Sequence, residues 1–427
     1  MDQRSDFSRF LVVWFGQWLS TIGSGMTAFA LGVYVFQITG SAALYSWVLL
    51  ASFLPSLLLK PIGGTIADRF DRRVMMMLGD AGSIAGTLLI LIAMALGVQS
   101  LWPIYIGSVL CSVFVALQNP AYKASVTDML DEAHYSKGSG LVQLCEASRF
   151  VVSPMIAGVL MSWLSIQSVL WVDCASFVVA IVTVFWVRSS VSNKAAERVR
   201  QTFKQEFVEG FRYTVQHRPL LVLLILTSFF TFFVGLLQAL WGPMLLVRYS
   251  EKTFGFSLTI AAVGMLLSSL LIGLLSKSEK KIPVLASALL LSGVCYGLVG
   301  VSGHIVWVTA CAFGFFLCLP FVNTSLDVLV RRNVDHAMQA RVWSIVSLIS
   351  QTGMLLAFTF AGFLADRLFN PALMPGGALS HSVGAFIGVG PGRGIGLILI
   401  IGGVFNVLTA LVIARLTILR QLDLKQA

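Results

Sequence analysis

Gly64-Thr-Ile-Ala-Asp68-Arg69-Phe-Asp-Arg72-Arg73 closes one long apolar run, 44–67, and leads directly into another, 74–98. The glycine permits close helix approach, and an acid with three arginines turns the chain sharply. Each flanking run exceeds the roughly 20 apolar residues that cross a bilayer as a helix. This short charged turn between two greasy runs fixes the reading of everything around it.

Composition points the same way. Of 427 residues, 57% are hydrophobic and 11% charged, with a mean hydropathy of +0.88. A soluble domain carries roughly 25% charged residues. A soluble globule, a disordered chain and a nucleic-acid binder are therefore excluded. The net charge of +10 is explained by basic loops facing anionic lipid. The six cysteines lie in apolar runs without a CxxC pair, and the five histidines lack metal-ligand spacing. Neither a disulfide framework nor a metal site is expected, and no cofactor is called for. The polar start of the chain and its long first apolar run do not read as a cleavable signal.

Twelve spans are predicted: 10–36, 44–67, 74–98, 102–122, 140–164, 169–187, 220–247, 254–275, 282–301, 305–325, 342–365 and 394–419. With the N-terminus in the cytoplasm, 23 of the 29 Lys and Arg residues fall inside and four fall outside: Arg248, Lys252, Arg367 and Arg393. That is a strong positive-inside asymmetry. An even span count puts both termini in the cytoplasm.

The longest charged stretch divides the chain into a six-helix bundle over 1–188, a linker over 189–218 and a second bundle over 219–427. Phe203, Phe207 and Phe211 recur every four residues within the linker, the pattern of an amphipathic helix on the membrane face. An internal repeat supports the division. A shift of 204 positions pairs Asn119 with Asn323, Val126 with Val330, Asp131 with Asp335 and Ala157-Gly158 with Ala361-Gly362. Two parallel six-span halves are a transporter architecture, with the substrate near the bilayer midplane.

The loop Gly64–Arg73 resembles the signature G-x-L-A-D-R-x-G-R-R/K of the major facilitator superfamily, with Ile66 and Asp71 as departures. Thr39-Gly-Ser41 and Glu209-Gly-Phe-Arg-Tyr213 before His217-Arg-Pro219 are similar to the macrolide-efflux branch of drug antiporters. The resemblance implies an all-α membrane protein of two pseudo-symmetric bundles in the bacterial plasma membrane. It also implies a conformational latch at Gly64, Asp68, Arg69, Arg72 and Arg73. Asp68 can accept from N–H groups at the start of span three, and Arg69 can grip a carboxylate. Span five resembles the antiporter signature G-x8-G-x3-G-P-x2-G-G at Gly140, Ser153, Pro154, Ala157 and Gly158, but Arg149 stands where a glycine is usual. A look-alike, Gly362-Phe-Leu-Ala-Asp366-Arg367, falls at the outer end of span eleven and reads as coincidence.

Ionisable residues inside spans are costly and point to function. They are Lys60, Asp80, Glu146, Arg149 and Asp173. Glu146 and Arg149 share a face of span five, and Glu146 is the expected proton carrier, with Arg149 holding it ionised in one state. A static neutralised pair is the alternative. Asp173 is the second proton site, and Asp80 is expected to pair with the Arg72–Arg73 loop. Lys60 can snorkel to the cytoplasmic face or join the cavity. Gln17, Trp18, Gln238, Trp241, Asn323 and Gln351 are expected to shape a substrate cavity, with Pro243 breaking span seven near its end. No GxxxxGK[ST] loop and no nucleophile–base spacing occurs, so ATP-driven transport and enzyme chemistry are not indicated. The reading is a monomeric secondary transporter exporting drug-like or macrolide-like molecules against protons. A siderophore or other natural product is the alternative cargo, and a lipid scramblase a further class.

Overall fold

A computed structural model of the chain describes residues 3–67, 70–131, 134–188, 203–275, 280–335 and 338–424. These are helical almost throughout, and no strand occurs among them. The first half holds α1 (Gln3–Thr39), α2 (Ala42–Ala67), α3 (Arg72–Ala95), α4 (Trp102–Met129), α5 (Tyr135–Val151), α6 (Ser153–Trp163) and α7 (Ile166–Arg188). The linker carries α8 (Phe203–Gln216). The second half holds α9 (Arg218–Leu246), α10 (Glu251–Leu275), α11 (Lys281–Val301), α12 (Ile305–Asn333) and α13 (Gln339–Phe363). A π-helical turn at Leu364–Phe369, short helices α14 (Asn370–Ala372) and α15 (Gly384–Ile387), then α16 (Arg393–Arg415) and α17 (Thr417–Leu424) complete it. Twelve helical stretches are long and apolar enough to cross a membrane, as expected.

The run 140–164 is one span with a single interruption at Val152. α5 ends at Val151 and α6 starts at Ser153, with Pro154 in its first turn. Proline offers no N–H to the preceding turn, so the hydrogen-bond ladder is interrupted at Val152, two residues earlier, while the backbone there stays helical. Pro243 has no such effect. α9 runs through it to Leu246, which corrects the expected break in span seven.

Two compact units emerge. One comprises Met1–Gly40, Trp47–Arg198 and Ser250–Thr259; the other comprises Ser41–Ser46, Val199–Tyr249 and Ile260–Ala427. The boundary runs through α2 after Ser46 and through α10 after Thr259. In the first unit α1 packs on α5, α6 and α7, and α3 packs between α4 and α7. In the second, α9 packs on α13 and α16, and α11 packs between α12 and α16. Small residues make these approaches possible. A Cβ on Gly86 of α3 would stand 2.8 Å from Gly107 O of α4, and one on Gly396 of α16 stands 2.6 Å from Gly300 O of α11.

The repeat is written into the cores. One buried cluster holds Val126, Leu130 and Val142, and the other holds Val330, Val334 and Val346. Each pair is separated by the same 204 positions. The turns that follow also match. His134 N donates to Asp131 O at 2.8 Å, and Met338 N donates to Asp335 O at 2.8 Å. The same backbone turn thus recurs 204 positions later in the second half.

Polar side chains fix helix ends within each unit. Asp71 caps α3 by accepting from Arg73 N at 2.9 Å. Asp423 of α17 caps α11, accepting from Lys281 N at 2.9 Å and Ile282 N at 3.1 Å. The linker helix α8 packs on α13. There Glu209 pairs with Arg341, and Tyr213 stacks on His217 at 4.2 Å.

Candidate functional site

The first unit buries two carboxylates, both held by α1. Gln17, Ser20 and Thr27 lie at spacings of three and seven, a single stripe of an α-helix. Asp80 of α3 is fully buried beside it. Its carboxylate accepts from Gln17 Nε2 at 3.0 Å, Ser20 Oγ at 3.2 Å and Gln118 Nε2 of α4 at 2.6 Å. Gln118 Nε2 also donates to Gln17 Oε1 at 2.8 Å. Four side chains from three helices thus form a closed polar network, as a buried acid requires. Asp80 engages this network and makes no ion pair with Arg72 or Arg73 among the described contacts, which corrects the pairing expected for it.

Asp173 of α7 is held differently. It is 1% exposed, and its Oδ2 accepts from Thr27 Oγ1 at 2.6 Å. Its Oδ1 has no hydrogen-bond partner. Gly23 of α1 faces that oxygen; a Cβ there would stand 2.7 Å from it. Arg149 and Asp80 are the charged groups within electrostatic reach. One carboxylate oxygen is thus bonded and the other is not.

Glu146 and Arg149 do not form the expected pair. Glu146 Oε1 lies 3.5 Å from Lys123 Nζ of α4, and its side chain is 41% exposed. Sharing a helix face brings two residues near each other, but a lysine on a neighbouring helix competes. Arg149 runs beside α1, where Gly25 leaves room for its stem. Ser153 Oγ donates to Ile22 O at 2.9 Å, so the small residue standing for the family glycine does serve close packing.

The other expected site residues scatter. Trp18 is half-buried, stacks on Trp14 at 5.7 Å and donates from Nε1 to Ser148 Oγ at 2.8 Å. Gln17 is buried in the Asp80 network, and Trp241 is 1% exposed in the core of the second unit. Gln238 and Gln351 are half-buried and Asn323 is exposed. Among the latch residues, Arg72 donates from Nη1 to Asp128 Oδ1 at 2.5 Å and to Ala124 O at 2.9 Å. Arg73 gives its backbone N–H to Asp71. Asp68 and Arg69, and the side chain of Lys60, lie outside what is described, and Gly64 is described only as part of α2. Asp71, the residue that departs from the family pattern, caps α3.

The look-alike Gly362–Arg367 has a structural task of its own. Asp366, on the π-helical turn, accepts from Ser41 Oγ at 2.7 Å, Ala42 N at 3.2 Å and Ala43 N at 3.0 Å. It caps the N-terminus of α2. Gly362 is needed there, because any side chain would run into Ala43. Gly158, its partner in the repeat, faces Glu251 O at the start of α10, where a Cβ would stand 2.8 Å away.

Gln118, Ser20 and Thr27 went unread in the sequence. They are neutral, and a search for charges inside spans passes over them. Their signal is the polar stripe on α1 and a glutamine deep in span four.

The profile of the Major Facilitator Superfamily matches residues 13–358. Macrolide efflux protein A of Streptococcus pyogenes is 27% identical over 367 residues, covering 84% of this chain and 90% of that protein. The Staphyloferrin A transporter of Staphylococcus aureus is 21% identical over 348 residues, covering 80% of this chain and 84% of that one. Among solved structures, a bacterial homolog of the human lysosomal transporter Spinster, in an inward-facing and unoccupied conformation, has a TM-score of 0.73 at 14% identity, over 100% of this chain and 98% of that chain. At that identity the likeness is one of fold.

Proposed function

We propose the function from one premise: the chain belongs to the Major Facilitator Superfamily. It is a multi-pass membrane transporter of small molecules, not an enzyme. In our reading it exports amphipathic, macrolide-like compounds by alternating access, in exchange for protons, and works as a monomer. Likeness to a macrolide efflux protein supports the cargo class. The 23-to-4 asymmetry of basic residues supports both termini in the cytoplasm, and likeness to bacterial transporters supports a bacterial plasma membrane. The latch residues Gly64, Asp68, Arg69, Arg72 and Arg73 hold one state in this reading, and Gln17, Trp18, Lys60, Gln238, Trp241, Asn323 and Gln351 tune the path.

The unpartnered Oδ1 of Asp173 carries the coupling assignment. A buried carboxylate is costly unless each oxygen is paired. A proton on Oδ1 meets that need in one state, and rehydration on opening releases it. Arg149 lies within reach to stabilise the anion. Glu146, half-exposed beside Lys123, suits proton entry. Asp80, bonded on both oxygens, suits a structural role.

A siderophore-like natural product is the second reading, favoured by the likeness to a staphyloferrin transporter. Vesicles with an imposed pH gradient separate the two. Uptake of macrolides, dyes and siderophores into inverted vesicles should follow the gradient in the parent. Asp173→Asn should bind cargo yet lose gradient dependence, and Glu146→Gln should slow the cycle while keeping it. Full gradient dependence in Asp173→Asn removes that residue as the carrier.

A further inference from the structure

Of the four basic residues that the sequence places outside the cytoplasm, Arg248, Lys252, Arg367 and Arg393, two meet. A Cβ built on Gly303 would stand 2.6 Å from Arg248 Nη1 and 3.3 Å from Arg393 Nη2. Both guanidinium groups therefore close on one point. Neither forms an ion pair or a side-chain hydrogen bond among the described residues. Two like charges drawn together without a carboxylate repel each other. The backbone nevertheless holds them there. Tyr249 Oη donates to Gly303 O at 3.2 Å and accepts from Ile305 N at 3.1 Å, pinning the segment after α9 to the turn before α12. Gly392, with φ +80°, turns the chain into α16 directly before Arg393.

Two helix N-termini add to the charge. α12 starts at Ile305, and α16 starts at Arg393 itself. Each brings partial positive charge. Two guanidinium forks and two helix starts at the end of membrane spans stand where lipid phosphates lie.

We propose that Arg248 and Arg393, converging over Gly303, form a binding site for a phosphate oxyanion, supplied by the headgroup of an anionic lipid in the adjoining leaflet. Free phosphate shares that chemistry, and the test has an arm for each source. Arginine forks grip phosphate through paired N–H bonds. Binding also relieves the mutual repulsion of the two cations.

Native mass spectrometry of the full-length protein in detergent tests this. The probes are phosphatidylglycerol, phosphatidylcholine and inorganic phosphate. The parent should retain phosphatidylglycerol over phosphatidylcholine. Arg248→Gln/Arg393→Gln should weaken retention on the order of thirtyfold, about fivefold for each charge removed. Lys252→Gln is the control, because Lys252 belongs to the first unit and is engaged over the Trp163 ring at 6.0 Å; it should bind as the parent does. If inorganic phosphate binds the parent, spares the double variant and no lipid is retained, the oxyanion site stands with free phosphate as its source. Equal phosphatidylglycerol retention by the parent and a folded double variant overturns the proposal, as does a parent that retains neither probe. Should the double variant fail to fold, Arg248→Gln alone, at an exposed position, decides with a fivefold loss expected.

Discussion

Asp366 Oδ2 accepts a hydrogen bond from Ser41 Oγ at 2.7 Å across 325 positions of sequence. With the N–H groups of Ala42 and Ala43 on the same carboxylate, it supplies α2 with a cap from a distant helix. An acid at a helix start contributes about 1 kcal/mol.

Asp366→Ala should therefore loosen the first turn of α2. Hydrogen exchange at residues 42–46 should quicken about fivefold, the equivalent of about 1 kcal/mol. Arg367→Gln, at an exposed position, should leave that exchange unchanged. Unaltered exchange in Asp366→Ala would show that the carboxylate is dispensable there.

The two buried acids should separate by readout. Asp80→Leu strands the amides of Gln17 and Gln118 and the hydroxyl of Ser20, at a cost of about 2–4 kcal/mol. Thermal melting in detergent should fall sharply. Asp173→Asn disturbs one bond, to Thr27, and should cost about 1 kcal/mol or less. A reversed ranking of melting temperatures would exchange the two roles.

Gly23→Ala drives a methyl toward Asp173 Oδ1 and the α7 backbone. Overpacking of this kind costs about 1–3 kcal/mol. Melting should drop by that measure, while Gly140→Ala, where nothing lies within 4 Å, should melt like the parent.

The Glu209–Arg341 pair, with side chains 53% and 23% exposed, should be worth about 0.2–1 kcal/mol in a double-mutant cycle. The coupling should shrink at 1 M salt, where the screening length falls to about 3 Å. A coupling unaffected by salt would mean that the contact acts by packing, not by charge.

The bundle was legible because a membrane span writes about twenty residues of one kind in a row. The repeat was legible because Val126 and Val330 are buried in matching cores, one in each half. What escaped was partner choice between helices. Glu146 and Arg149 share a face, yet Lys123 on α4 takes the glutamate. Asp366 sat in a familiar spacing, yet its target is a helix start that no spacing reveals. Asp71 looked like a lapse from the family pattern and proved to be the cap of α3. Ser20 and Gln118 were passed over because a neutral residue betrays nothing until its acceptor is known.

Both carboxylates of the first unit take their bonds from the same rod. Gln17 and Ser20 engage Asp80, and Thr27 engages Asp173 two turns farther along. Advancing α1 by a single residue would swing that stripe by about 100° and uncouple both acids at once. α1 thus works like a key with two cut teeth: neither acid can report a half-turn that the other does not feel.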